Sequence, residues 1–318
     1  MWIELNNGYE QKILLIGPGN IGLDYVKVLQ DLQTDITVIG RSAKPNWPLP
    51  VYEYGIDRYI ESTSTTNVNH AIVAVDESQL YTVTKKLILS GIKNILVEKP
   101  AGISKKEVHS LKKLSIKMNC NLFVAYNRRF YQSVKQCREI ISKSDGPISV
   151  NFSFTEWPHT IDFNTYSNEE LDKFVLCNSS HVPDTVFYLV GKPRVLNCET
   201  YGQLDWHKSA CVFQGNGITK NGVLINYNAN WKSAGRWGIE ICLPGKKLIL
   251  RPLEKLHIQY MGSVDIVEYD LLDEEIDVKY KPGLYEEVKS FLNEQKELCT
   301  IEEQVENFEW FYKMANYK

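Results

Sequence analysis

The sequence predicts an α/β plus α+β chain: an N-terminal doubly wound parallel sheet, then a domain built on a large, predominantly antiparallel open sheet. Three observations predict it. An apolar run, Ile13-Leu14-Leu15-Ile16, breaks into a Gly-x-Gly-x-x-Gly turn over residues 17–22 and passes into a helical pattern. Strand-like and helix-like stretches then alternate as far as residue 125, in pieces the length of βαβ units. Beyond about residue 147 the apolar residues change to a period of two, the mark of strands with one wet face.

Each element has its own signal. Leu23, Val26 and Leu29 recur at helical spacing after Gly22. Ile36-Thr37-Val38-Ile39 is a β-branched strand ending at Gly40. Pro45, Pro48 and Pro50 mark a loop, and a third strand is expected near Tyr59-Ile60. Ala71–Val75 reads as a buried strand; Asp76 is placed to cap the next helix, with Gln79 three residues on. Asn94–Val97 is another strand, and Ser104 with Glu107 forms a capping box ahead of Val108, Leu111 and Leu114. Asn121–Ala125 closes the parallel set. A helix carrying Val134, Cys137 and Ile141 follows. Alternation then runs through Ile148–Thr155, Ile225–Trp231, Trp237–Leu243 and Leu256–Tyr260. The chain finishes in helices with Leu284, Val288, Phe291 and Leu292 on one face and Thr300 capping Ile301, Val305 and Phe308. The domain boundary is expected near 127, giving segments 1–127 and 128–318.

Composition sets the class. The 318 residues are 43% hydrophobic and 24% charged, and 36 basic against 39 acidic side chains leave a net charge of −3. Such a balance predicts no nucleic-acid or anionic-lipid partner. Seven scattered cysteines without a Cys-x-x-Cys pair predict free thiols and no metal site. The first seven residues lack the basic lead and apolar core of a signal peptide, and no apolar run reaches membrane-spanning length, so a cytoplasmic protein is expected.

Strand, glycine turn and helix in that order form a dinucleotide-binding fingerprint. Gly17 permits the tight turn, Gly19 lets backbone approach a pyrophosphate, and Gly22 lets helix pack on strand. Asn20 and Ile21 lie in the same turn, where the helix N-terminus offers free N–H donors. At the end of the second strand, eighteen residues after Gly22, no carboxylate is present to bind a ribose 2′-hydroxyl. Arg41 and Ser42 stand there instead and suit a 2′-phosphate, which favours NADP; NAD, with Arg41 merely solvated, is the alternative. Glu98-Lys99-Pro100 ends a strand at the ligand edge of the sheet, where Lys99 is a candidate proton donor or acceptor. In Cys177–Asp184, Ser179 or Ser180 is expected to cap a helix whose first turn holds His181, Pro183 and Asp184 and which ends at Gly191.

These motifs, together with Tyr126-Asn127-Arg128-Arg129-Phe130 and Lys281-Pro282-Gly283-Leu284-Tyr285, resemble in order the glucose–fructose oxidoreductase / inositol dehydrogenase (Gfo/Idh/MocA) family. The resemblance implies a Rossmann domain, a C-terminal sheet that makes oligomer contacts in a homodimer or homotetramer, and hydride transfer at a sugar or polyol carbon. It implies catalytic roles for Lys99 and His181, and substrate contacts from Lys99, Arg128, Asn178, His181 and Asp184. Val75 and Glu98 join the glycine turn, Arg41 and Ser42 in the cofactor set.

One departure stands out. The family's polyol dehydrogenases usually carry an aspartate four residues before the histidine, and Cys177 is there instead. The Asn178-Ser179-Ser180-His181 sequence resembles a branch associated with nucleotide-sugar or surface-carbohydrate synthesis. The expected function is therefore an NAD(P)-dependent oxidoreductase acting on a sugar, keto-sugar or nucleotide-sugar. A non-catalytic NADP-binding regulator of the same fold is the alternative; Cys177 favours it, and retention of Lys99 and His181 opposes it.

Overall fold

The computed structural model describes residues 11–63 and 68–318. The first ten residues, read in the sequence for a leader, lie outside them. The first sheet has seven strands: β1 (Lys12–Ile16), β2 (Asp35–Ile39), β3 (Val51–Tyr52), β4 (His70–Val73), β5 (Asn94–Glu98), β6 (Asn121–Ala125) and a late one, β15 (Cys299–Thr300). Their order is β15-β6-β5-β4-β1-β2-β3, and every pair is parallel except β15 with β6. The connecting helices are α1 (Asn20–Asp31), α2 (Gly55–Ser62), α3 (Glu77–Leu89) and α4 (Lys105–Met118). Because helices cover both faces, the strands need apolar residues on both sides, and Ile13, Leu14, Leu15 and Ile16 are all buried.

The second sheet has eight strands in the order β14-β13-β12-β11-β7-β10-β9-β8. They are β7 (Ser149–Ser153), β8 (Pro193–Tyr201), β9 (Val212–Thr219), β10 (Leu224–Asn230), β11 (Gly238–Leu243), β12 (Lys246–Leu250), β13 (His257–Tyr260) and β14 (Ile266–Glu268). Only β7 with β10 is parallel; the remaining pairs are antiparallel. The period of two in the sequence is the burial pattern: Ile225, Tyr227 and Ala229 are buried, while Asn226 and Asn228 face outward. Helices α5 (Gln132–Ser142), α6 (Asn168–Asp172) and α7 (His181–Val190) precede or interrupt this sheet; α8 (Glu274–Lys279), α9 (Leu284–Leu292) and α10 (Ile301–Ala315) follow it.

The segment after residue 283 returns to the first sheet. Leu284, Val288 and Phe291 of α9 pack with Tyr25, Val26 and Leu29 of α1 in one apolar cluster, and β15 adds an edge strand. Among the described residues no helix is long and apolar enough to cross a membrane, and no group of side chains forms a metal site. All seven cysteines are free thiols.

Three local expectations are corrected. Tyr59-Ile60 is not a strand: Ile56 and Tyr59 bury one face of α2, and the third strand is the two-residue β3, too short to leave a periodic signal. Asp76 occupies the N-cap of α3 but its side chain makes no cap bond. Neither Ser179 nor Ser180 caps α7, because the chain is already helical there. A π-type turn over Val175–Ser179 runs into α7, and the Ser180 hydroxyl bonds back to the Leu176 carbonyl. The capping box at Ser104 and Glu107, the Thr300 cap and the positive-φ Gly191 terminus are as the sequence predicts.

A buried ionic clamp joins these parts. A short 3₁₀ turn at Asn127–Phe130 directs Arg129 inward, where its Nε and Nη2 donate to Asp184 Oδ2 and Oδ1 at 2.8 and 2.6 Å. The same guanidinium donates to both oxygens of Glu303, at 3.1 and 2.9 Å. Asp184 has no exposed surface, and Asn307 donates to it as well. Removing one partner of such a pair strands a charge in the interior. Arg129→Met is expected to cost roughly 3–5 kcal/mol in urea unfolding, with lower pH easing the loss as Asp184 becomes neutral.

Candidate active site

Two adjoining cavities open at the carboxyl ends of the parallel strands, each about 430 Å³. Gly17, Pro18, Gly19, Gly40, Arg41, Ser42, Lys44 and Val75 line the first. The second runs from Gly19, Asn20 and Ile21 past Val75, Glu77, Glu98 and Lys99 to Arg128, Asn178, His181 and Lys281. Gly19 and Val75 belong to both, so the two form one continuous trough.

The glycine turn fits a dinucleotide on its own geometry. Gly17 has φ +112°, and a Cβ there would stand 2.1 Å from the Ala74 carbonyl oxygen. A Cβ at Gly19 would meet nothing within 4 Å, so the absent side chain leaves open space at the start of α1. That helix has no side-chain cap and no acid in its first turn, which leaves its N–H groups and dipole to an anion. Gly22 lines neither cavity; its Cβ would lie 2.2 Å from the Gly17 carbonyl oxygen, so its smallness serves the packing of helix against turn. Arg41, which is exposed, lies 4.0 Å from Asp76.

The second cavity brings Lys99, from the end of β5, together with His181, from the start of α7. Lys99 leaves the end of β5, and its Nζ donates to the Cys177 carbonyl oxygen in the π turn. Glu77 Oε1, from the first turn of α3, lies 3.6 Å from the same Nζ, with the side chains only 23% and 12% exposed. Burial raises the Glu77 carboxyl above its ordinary range, against the pull of Lys99. Glu98, beside Lys99 in sequence, accepts from the buried Tyr25 hydroxyl at 2.8 Å.

His181 is 4% exposed, and Arg128 Nη1 donates to its Nε2 at 2.8 Å. A guanidinium can only donate, so Nε2 is the acceptor and Nδ1 carries the proton. Burial, and then the charges of Arg128, Lys99 and Lys281, hold the imidazole well below its usual pKa. The ring is therefore neutral at physiological pH. Because the unfolded chain binds that proton more readily, stability declines as pH falls below the unfolded value of about 6.5.

The wall behind His181 comes from the second sheet. Trp237 lies 6.2 Å from the imidazole, centre to centre, and 5.2 Å from the Arg128 guanidinium. Glu156, 3% exposed, accepts from Asn178 Nδ2 at 3.0 Å, Ser179 Oγ at 2.5 Å and Trp237 Nε1 at 3.2 Å. It also pairs with Arg236 at 3.2 Å.

Of the residues singled out in the sequence, Lys99, Arg128, Asn178 and His181 meet in one cavity with Glu98, Asn20 and Ile21. Asp184 does not reach it. Three residues after His181, Asp184 is buried with its carboxylate on Arg129, and it lines no part of the cavity. Glu77, Glu156 and Lys281 were missed. Glu77 directly follows Val75-Asp76 at a strand end, and Glu156 follows the alternation that closes with Phe154, which were the available signals.

With this geometry in view, residues 11–126 match the family model GFO_IDH_MocA, described as the oxidoreductase family with an NAD-binding Rossmann fold. Over residues 11–126 the chain is similar to the Gfo/Idh/MocA family. No match is found among curated proteins. Among solved structures, the chain is similar to UDP-N-acetylglucosamine 3-dehydrogenase GnnA from Acidithiobacillus ferrooxidans, at 14% identity, 98% coverage of each chain and a TM-score of 0.74. It is also similar to an inositol dehydrogenase homologue from Azotobacter vinelandii, complexed with NADH and myo-inositol. That match has 14% identity, covers 97% of this chain and 95% of the other, and has a TM-score of 0.74. A third is the dehydrogenase MviM from Clostridium difficile, at 19% identity, 96% and 99% coverage and a TM-score of 0.75. At these identities the likeness is one of fold.

The two glycines separate folding from binding. Gly19→Ala is expected to stay within about 0.5 kcal/mol of the parent in urea unfolding while losing at least about tenfold in NADH affinity by fluorescence titration. Gly17→Ala, with a strained φ and a backbone clash, is expected to unfold at distinctly lower urea.

Proposed function

We propose that this protein is an NAD(P)-dependent oxidoreductase, favouring NADP, that transfers a hydride to or from a sugar, keto-sugar or nucleotide-sugar in surface-carbohydrate biosynthesis. The observation that carries the proposal is the meeting of Lys99, at the end of β5, and His181, at the start of α7, in a cavity continuous with the glycine turn. Residues 1–127 bind the dinucleotide; residues 128–318 supply the substrate wall and the oligomer contacts of a homodimer or homotetramer. Seven free thiols agree with a cytoplasmic setting.

When bound, the nicotinamide supplies or accepts the hydride. Gly17, Gly19, Asn20 and Ile21 hold the pyrophosphate side, and Arg41 with Ser42 holds a 2′-phosphate, aided by the nearby Lys44. Lys99 moves the proton of the reacting oxygen. His181, neutral and fixed by Arg128, donates or accepts a hydrogen bond and orients the substrate. Asn178, held by Glu156, offers an amide to a sugar hydroxyl. The nucleotide sugar in the name of GnnA and the myo-inositol bound to the inositol dehydrogenase homologue support a carbohydrate reading.

The second reading is a non-catalytic NADP-binding regulator, favoured by Cys177, a buried thiol pushed well above its usual pKa at the position of the family's aspartate. Titration with NADPH and NADH, with and without keto-sugars, nucleotide sugars and polyols, separates the two readings. Nicotinamide oxidation or reduction by one sugar class is the expected result; binding without turnover across the panel favours the regulator. Arg41→Ala is expected to weaken NADPH roughly tenfold and leave NADH nearly unchanged. Lys99→Ala is expected to lower kcat roughly 100-fold with cofactor affinity retained. Light scattering of the purified chain is expected to give the mass of two or four copies.

A further inference from the structure

We propose that Glu77 is the proton-exchange partner of Lys99, supplying from the nucleotide-binding domain the carboxylate that Cys177 does not. This rests on the oxidoreductase reading above. Three observations support it. Glu77 is the one carboxylate among the described residues in ion-pair contact with Lys99 Nζ, at 3.6 Å. It lines the same cavity, with 23% of its side chain exposed, so it touches both the lysine and the solvent. The other group holding Nζ is the carbonyl oxygen of Cys177, which accepts a hydrogen bond but exchanges no proton.

The groups facing Glu77 set its character. Glu98 and Lys99 approach from β5, Glu170 from α6, and Tyr166 and Cys177 from the second domain. Glu170 is itself fixed, accepting from the Ser78 and Ser167 amides. Burial pushes the Cys177 thiol and the Tyr166 hydroxyl up, so both stay neutral. Burial also raises Glu77, and the carboxylates of Glu170 and Glu98 add to that, against the pull of Lys99. The outcome is a carboxyl that takes up a proton more readily than an ordinary glutamate, beside an ammonium that must lose one.

The step balances in either direction. In carbonyl reduction the carbon accepts a hydride, the C=O π pair moves to oxygen, and an N–H bond of the Lys99 ammonium breaks as the new O–H bond forms. Glu77, a carboxylate while it pairs with the ammonium, takes up a hydronium proton at the cavity mouth, leaving water, and passes it to the neutral amine, which restores both carboxylate and ammonium. Alcohol oxidation runs the same transfers backward. Glu77 acts through Lys99 and is a positioning residue, whereas Lys99 meets the reacting oxygen.

Trace acetylation of the full chain with acetic anhydride at about pH 8, with and without saturating NADH and quantified at each lysine by mass spectrometry, reads the pair without any sugar. Losing its counter-ion frees the amine, so Glu77→Gln is expected to acetylate Lys99 at least about threefold faster, while distant lysines are unchanged and Glu77→Asp stays near the parent. An unchanged Lys99 rate overturns the proposal. With whichever sugar of the panel is turned over, Glu77→Gln is expected to lower kcat at least about tenfold with little change in KM and to alter the pH profile, and Glu77→Asp to recover part of the loss. A parental kcat and pH profile in Glu77→Gln also overturns it. If acetylation responds but the parent protein turns over no sugar, the oxidoreductase reading fails and the relay fails with it, leaving an ion pair alone.

Discussion

The arrangement depends on one buried cation. Arg129 grips Asp184 of α7 and Glu303 of α10 with both edges of its guanidinium, and all three side chains come from elements with nothing else in common in the sequence. Desolvating this set is costly, and a bidentate geometry with further donors is what offsets the cost. Because Arg129 is fixed, the 3₁₀ turn carrying it is fixed, and its neighbour Arg128 is delivered to the opposite side, into the cavity. Because Asp184 is fixed, the first turn of α7 is fixed, and His181 meets Arg128. A clamp with no chemistry of its own thereby sets the distance between two groups of the site.

The cavity is electrostatically graded. Its cations, Lys99, Arg128 and Lys281, all act on His181, and an imidazole so placed stays uncharged. Carboxylates cluster on the nucleotide side, where Glu77 and Glu98 flank Lys99. One wall therefore holds a neutral hydrogen-bonding ring and the other a charged pair able to trade a proton. This division gives each group a distinct task without a carboxylate beside the histidine.

Much of this was legible in the sequence, for identifiable reasons. The glycine fingerprint, the strand–helix alternation and the period-two strands report backbone geometry and burial, which are local. Lys99 and His181 each sit at a motif, and the fold brings both to one cavity. What stayed hidden was tertiary. Nothing local tells Arg128, which faces the cavity, from Arg129, which is buried, and nothing local reveals that Asp184 is claimed by an arginine 55 residues upstream. Ser179 and Ser180 look like caps because cap chemistry is local, but the preceding π turn that makes a cap unnecessary is set by packing. Glu156 and Glu77 carry no motif; their importance comes from partners brought to them by the fold, Trp237 and Asn178 in one case and Lys99 in the other.

The return of the chain to its first sheet bears on how the protein is made. Strands β1 to β6 are synthesised before the second sheet, but the helix that covers Tyr25, Val26, Leu29 and Phe123, and the strand that pairs with the edge of β6, come only after it. Until they arrive, the nascent nucleotide-binding half holds an open apolar face and an unpaired strand edge, features that invite association with other chains. Folding of this half ahead of the second sheet therefore leaves that face and that edge uncovered. The half with the cofactor fingerprint reaches its finished form only when the whole sheet-rich half has already been threaded through, and a fragment ending after β6 is an exposed intermediate and not a small domain.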